Sequence, residues 1–258
     1  MTKRRIDHLL VERGCAESRQ KAQAIILAGQ VLVDEQKVEK PGQLVASGSA
    51  IRVIGQLPFV SRGGVKLQAA LDGFQIPVAG RFCADLGAST GGFTDCLLQA
   101  GARSVHAFDV GAGQIAWKLR SDPRVVVRDR FNVRNITAHD LPLQISLVTA
   151  DLAFISLDKI LPALSQALRE RTREWKDRPA DFHVDLVLLV KPQFEVGKGE
   201  VGKGGIVRAP EKRLQALARV ESSATSQGYE VVGNIPFPIS GTRRNQEFLL
   251  YLRLFPDL

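Results

Sequence analysis

Apolar residues recur along this chain with two different periods, and the change of period divides it. Ile6, Leu9 and Leu10 fall on one face of a helix, and Gly14 follows where a C-terminal cap belongs. Ser18 stands as N-cap to a second helix over 19–28, whose Ala22, Ile25 and Ile26 form the buried stripe and which Gly29 closes. Val31, Leu32 and Val33 then read as a strand, 34–37 as a polar turn and 51–54 as a closing strand, which makes a small helix–helix–strand unit. Residues 56–60 read as a connector, giving domains at 1–57 and 62–258 with 58–61 as linker. Beyond it, short apolar runs at 82–86, 104–110, 125–128, 147–152, 186–190, 229–234 and 247–255 alternate with helical patterns that begin at Phe93, Asp158 and Glu211. That rhythm predicts an α/β domain with a doubly wound, mostly parallel, seven-stranded sheet, preceded by a small α+β domain.

Composition adds limits. With 258 residues, 45% hydrophobic and 24% charged, the chain has material for one large core and a small one. No apolar run approaches the length of a membrane helix, and the basic start of the chain lacks the apolar stretch of a signal peptide, so a soluble, cytoplasmic protein without membrane contact is expected. Cys15, Cys83 and Cys96 never form a C-x-x-C pair, which suggests neither a disulfide framework nor a metal site. Lys and Arg outnumber Asp and Glu by 35 to 27, a formal charge of +8 that favours a polyanion such as RNA or an anionic membrane surface without choosing between them.

Chemistry enters after the run at 82–86, where Asp85, Leu86, Gly87, Ala88, Ser89, Thr90, Gly91 and Gly92 lead into the helical stretch from Phe93. Strand, glycine loop, helix is the order that lets a backbone approach a nucleotide-like ligand at the carboxyl edge of a sheet, although paired glycines also serve close helix packing. The next strand delivers Asp109, about where a ribose-binding carboxylate belongs, and the third delivers Asp129 and Asn132. The loop lacks the G-K-[ST] ending of a P-loop and the spacing of a dinucleotide fold. This stretch resembles the Rossmann-like methyltransferases. The resemblance implies S-adenosylmethionine as cofactor, with Asp85, Gly87, Ser89, Gly91, Gly92 and Phe93 around its methionine part, Asp109 on the ribose, and Asp129 and Asn132 beside the adenine.

Three further charged residues sit in or beside apolar strand segments, where an unpaired charge is costly: Asp151, Lys191 and Glu247. Lys66, in a helical stretch before the first sheet strand, completes a Lys-Asp-Lys-Glu set. With Asp151-Leu152-Ala153-Phe154-Ile155-Ser156 and Val190-Lys191-Pro192-Gln193-Phe194-Glu195, the chain closely resembles the TlyA family of hemolysin-like ribosomal RNA methyltransferases over nearly its whole length. Its catalytic part is similar to the FtsJ-like methyltransferases, which share the four-residue set. The resemblance implies methylation of a cytidine 2'-hydroxyl in ribosomal RNA of the small subunit, and of the large one too, with Lys66, Asp151, Lys191 and Glu247 catalytic and Asp151 also near the methyl donor. The chemistry wants these residue types. A ribose hydroxyl is a weak nucleophile and must lose its proton as it attacks, and a lysine can take that proton where burial and a second cation disfavour its ammonium form. Lys191 is the expected base, with Lys66 as the second cation. Ion pairs that merely tie helix to sheet are the competing account of any one of the four.

Residues 3–55 resemble the alpha-L RNA-binding motif. Arg4, Arg5, Arg19 and Lys21 suit phosphate contacts or, equally, a solvated basic face. Arg62, Lys198 and Lys203 extend the candidate RNA surface, the last two in a glycine-rich stretch over 197–208 that reads as an RNA-clasping loop or as an ordinary one. Two departures from the family pattern stand out: a long charged segment over 169–185, and arginine instead of glycine before Asn245. A non-catalytic ribosome-assembly factor and a membrane-active hemolysin are the alternative functions, the second opposed by the lack of a spanning segment.

Overall fold

The computed structural model describes residues 3–55, 58–197, 199–202, 204–237 and 245–256, and the chain falls into two units, Met1–Leu57 and Pro58–Leu258. The first unit opens with β1 (Lys3–Arg5) and α1 (Ile6–Glu12), followed by α2 (Arg19–Leu27), β2 (Val31–Val33), β3 (Gln36–Val38), β4 (Leu44–Ala46) and β5 (Ile51–Val53). Ser18 caps α2 by accepting from the Lys21 backbone N–H at 3.2 Å. The expected 34–37 turn is shorter. Asp34 and Glu35 alone turn, both with positive φ (49° and 63°), and Gln36 and Lys37 pair back onto β2. β2 is the central strand between β3 and β5, while β1 pairs with β4. Ile6, Leu9 and Leu10 of α1, Ala22 and Ile26 of α2 and the inward residues of β2 form its core.

The second unit runs α3 (Arg62–Phe74), β6 (Phe82–Leu86), α4 (Gly92–Gln99), β7 (Ser104–Phe108), α5 (Trp117–Arg120), β8 (Val125–Arg128), β9 (Ile145–Ala150), α6 (Leu161–Glu174), β10 (Val184–Val190), α7 (Pro192–Glu195), α8 (Pro210–Ser226), β11 (Tyr229–Phe237) and β12 (Glu247–Leu254). Its seven strands lie in the order β11-β12-β10-β9-β6-β7-β8. The five from β10 to β8 are parallel, and β12 is antiparallel to both of its neighbours. Alternation along β10 shows why helices cover both faces. Val184, Leu186, Leu188 and Val190 enter the core that also holds Leu164 and Leu168 of α6 and Val220 of α8, whereas Val187 and Leu189 enter the core with Leu67 of α3 and Leu97 of α4.

Residues 58–61, expected as a linker, belong to the second unit. Phe59 is buried, and the Val60 N–H donates to Asp95 Oδ2 at 2.8 Å. The charged 169–185 segment is the last turns of α6, a loop in which Trp175 packs edge-on against Phe182, their centroids 5.3 Å apart, and the first two residues of β10. The chain leaves β6 for β7 and β8 on one side, then returns to place β9 on the other, so the order of the parallel strands reverses between β6 and β9. A crevice opens at the carboxyl ends of strands where such a reversal occurs.

Candidate active site

At that crevice the loop after β6 folds over the end of β7, and the Gly87 and Ala88 N–H groups both donate to the Phe108 carbonyl (2.8 and 3.0 Å). Gly87 has φ +83°, and a Cβ there would lie 2.7 Å from the Asp151 carbonyl oxygen, so only glycine allows the loop to touch the residue that ends β9. Gly92 serves packing, because a Cβ on it would fall 2.9 Å from the Gly64 nitrogen, so α4 and α3 approach backbone to backbone. Gly91, at φ +96°, is the N-cap of α4, and Phe93 is buried in the core below.

The Asp109 carboxylate is fixed from two sides, by the Ser89 N–H at 2.7 Å on Oδ2 and the Gly111 N–H at 2.7 Å on Oδ1. Among the described residues no cation pairs with it. A half-buried carboxylate aimed beside a glycine loop, with lone pairs to spare, fits the hydroxyls of a ribose. Other residues of the expected cofactor set are arranged differently. Asp85 does not line the crevice. It has no exposed surface and accepts from the Thr94 hydroxyl at 2.7 Å and the Thr149 hydroxyl at 3.3 Å, beneath the loop. Burial pushes its carboxyl up to about 7, the Asp151 charge adds to this, and the two threonine hydroxyls oppose it. Asp129 is taken by Arg120, whose Nη2 meets both carboxylate oxygens (3.1 and 2.8 Å). Asn132 is exposed and accepts from the Arg134 N–H at 3.1 Å, capping a short turn.

The Lys-Asp-Lys-Glu set does meet at one edge. β10 pairs with β12 as far as Val190 and Phe248, so the next register step sets Lys191 beside Glu247, while Asp151 follows β9 on the other side. Lys191 Nζ lies 2.5 Å from Asp151 Oδ1 and Lys66 Nζ 2.5 Å from Glu247 Oε2, with the four side chains between 13% and 22% exposed. They form two ion pairs, one from within the sheet and one joining α3 to it. Phe154, which the sequence did not single out, stands in the loop after Asp151 at 92% exposure, its ring 5.3 Å from that of Phe194 just past Lys191.

On the expected RNA side, Arg4 pairs with Glu12 at 2.7 Å, and Arg5 and Arg19 both grip Asp7 (2.9 and 3.0 Å). Lys21 and Arg62 are exposed, and Lys198 and Lys203 lie outside the described residues.

Residues 59–254 match the family of FtsJ-like methyltransferases. The chain belongs to that family. Residues 4–51 match the S4 domain. The chain is 46% identical, over 98% of its length and 91% of the relative's, to the 16S/23S rRNA (cytidine-2'-O)-methyltransferase TlyA of Mycobacterium tuberculosis. It is 40% identical to Hemolysin A of Brachyspira hyodysenteriae, over 96% of this chain and 98% of that one. A solved structure under the name hemolysin, from Streptococcus thermophilus, matches at a TM-score of 0.69 and 38% identity, covering 98% of this FtsJ-like chain and 89% of the other. Among the described residues no helix is long and apolar enough to cross a membrane.

Proposed function

We propose that this FtsJ-like methyltransferase moves a methyl group from S-adenosylmethionine to the 2'-hydroxyl of a cytidine in ribosomal RNA, acting in the cytoplasm on ribosomal subunits. One observation carries the reading: the glycine loop touches Asp151 at Gly87, and Asp151 pairs with Lys191, so a loop shaped for a nucleoside and a lysine shaped for proton transfer share one crevice. The RNA substrate follows from the relative's name and from the S4 domain at the front of the chain.

Bound S-adenosylmethionine supplies an electrophilic sulfonium methyl. Asp109 would hold the ribose of the cofactor, and the Gly87–Gly91 loop its methionine end. Lys191 would take the proton of the attacking 2'-hydroxyl, with Asp151, 2.5 Å away, balancing the ammonium that results. Lys66 and Glu247, paired at 2.5 Å, keep the neighbouring edge near neutrality, which limits the cost of gathering four charges in a half-buried place. Phe154 offers its ring face to the base of the target nucleotide, since an unstacked base gains by stacking on an aromatic side chain.

The test is transfer of labelled methyl from S-adenosylmethionine to purified ribosomal subunits by wild type and by Lys191→Ala. Loss of transfer by about 100-fold or more, with cofactor affinity kept within about twofold, is expected of a removed base. Normal turnover by the variant removes Lys191 from that role. Cofactor binding without any transfer by wild type favours the assembly-factor reading.

A further inference from the structure

We propose that Glu195 is a positioning residue of this site, fastening the loop that follows Asp151 to the turn that follows Lys191. The proposal rests on the methyl-transfer reading above. The parallel ladder between β9 and β10 has its last pair at Leu188 and Ala150. Asp151 and Lys191 both lie past that point: Asp151 is held to β6 by its N–H on the Leu86 carbonyl at 3.0 Å and Lys191 follows the pairing of β10 with β12, but no ladder pair joins the two segments directly. Glu195 does reach across. It ends α7, is 4% exposed, and spends both carboxylate oxygens on one turn of the opposite loop: Oε2 accepts from the Ser156 hydroxyl at 2.6 Å and Oε1 from the Leu157 N–H at 3.0 Å. Ser156 in turn accepts from the Asp158 N–H at 3.2 Å, so the three bonds lock the start of the short helical turn 157–159.

A buried carboxyl is an expensive way to fill space. Among the described residues Glu195 has no ion-pair partner; the nearby Arg219 guanidinium donates to its backbone carbonyl, at 2.9 Å, and not to its carboxylate. Burial raises its carboxyl above the ordinary glutamate value, with the Ser156 and Leu157 bonds acting against this. A leucine would pack there at no such cost, but would leave the Leu157 N–H without a partner. What the glutamate provides is the pair of acceptors. The Phe154–Phe194 ring contact is a second link between the same two segments, and Phe154 sits at φ +63°, a conformation that a non-glycine residue keeps only where its surroundings impose it.

Three measurements on the full-length protein decide the matter: kcat and KM for methyl transfer to ribosomal subunits, affinity for S-adenosylmethionine, and hydrogen exchange at the Leu157 amide. Glu195→Ala is expected to lower kcat about tenfold or more, since a displacement near 1 Å at reacting groups has that scale of effect. Its cofactor affinity should stay within about twofold, and exchange at Leu157 should quicken about tenfold. Glu195→Gln keeps an acceptor for the Leu157 N–H and can donate to Ser156 Oγ, so it should restore kcat to within about threefold of wild type. The proposal is overturned by a kcat in Glu195→Ala within about twofold of wild type, or by kcat and cofactor affinity collapsing together in both variants. Should wild type move no methyl to RNA, the RNA reading fails by itself, and exchange at Leu157 still decides whether Glu195 holds the loop.

Discussion

Among the described residues two carboxylates have no exposed surface, Asp7 in the first unit and Asp85 in the second, and their surroundings move them in opposite directions. Asp7 is ringed by donors that carry charge: Arg5 through Nε and Nη2 (3.0 and 2.9 Å), Arg19 through Nε (3.0 Å), and, as a neutral addition, Gln23 at 3.2 Å. The Arg5 guanidinium above all holds its carboxyl well below the usual range, against the pull of burial. Asp85 meets neutral donors, the Thr94 and Thr149 hydroxyls and the Thr94 backbone, and burial takes it up to about 7. Burial alone therefore does not set the charge of a carboxyl: it prevails at Asp85, and charged partners outweigh it at Asp7. The consequence differs in each unit. Asp7 remains an anion that holds two half-exposed guanidiniums in place, whereas Asp85, hydrogen-bonded beneath the glycine loop, changes charge near physiological pH.

The sharpest way to break this contrast is Asp85→Asn. The folded value lies above the unfolded one, so the folded state keeps the proton more tightly. The stability this gives is complete below about pH 4 and is lost as the pH rises through about 7. Wild type should lose roughly 3 kcal/mol of second-unit stability between pH 5 and 8 on this account, and Asp85→Asn should flatten that decline. Urea unfolding at the two pH values measures it. A wild-type profile already flat over this range would show that Asp85 is ionised throughout and that the contrast with Asp7 is false.

Asp7→Asn comes next in size and has the opposite sign with pH. The folded value of Asp7 is depressed, so its stabilisation is present above the unfolded carboxylate value, near pH 4, and disappears as the pH falls through the folded one. The side chains of Arg5 and Arg19 are 43% and 52% exposed, so solvent screens much of the attraction. A loss of about 2 kcal/mol at pH 7 is expected, shrinking in acid. Hydrogen exchange at the amides of Leu9 and Leu10, read in the full-length protein, reports it. Unchanged exchange at pH 7 would reduce the Arg5–Asp7–Arg19 cluster to decoration.

The same contrast marks the limit of what the sequence discloses. Sequence alone passes over Asp7 and makes Asp85 a cofactor contact, because burial of either depends on residues far along the chain: Thr149 for Asp85, Arg19 and Gln23 for Asp7. It likewise assigns Asp129 to the adenine, and the capture of that carboxylate by Arg120 depends on how α5 lies against β8. Long apolar strands and helix caps such as Ser18 are legible from periodicity, Asp151, Lys191 and Glu247 from their places at strand ends, and their meeting with Lys66 from the resemblance to the FtsJ-like family. β1 and β3 read KRR and QKV, too polar to show the apolar run that reveals β2 at the same length. Glu195 and Phe154 stand in recognisable motifs without a role, because nothing in their spacing shows that one is buried and the other exposed.

Arg4 supplies the smallest effect and the finest test of the comparison. Its pair with Glu12 at 2.7 Å has both side chains about half exposed, 43% and 52%, with no buried anion behind it. Arg4→Ala should therefore change stability by less than about 0.5 kcal/mol. Its cost to RNA binding is a separate matter. A guanidinium held only by a solvated glutamate can leave it for a phosphate at little expense, so loss of Arg4 should reduce the slope of log affinity against log salt by about one unit, through one fewer counterion released. Titrating ribosomal RNA into wild type and Arg4→Ala across a salt series distinguishes the outcomes. A lower slope with unchanged stability assigns Arg4 to the RNA surface and separates it from Arg5 and Arg19, whose pairing with Asp7 also serves the fold. An equal slope leaves Arg4 on the solvated face of the unit, and the phosphate contacts then fall to the two guanidiniums that Asp7 already holds in place.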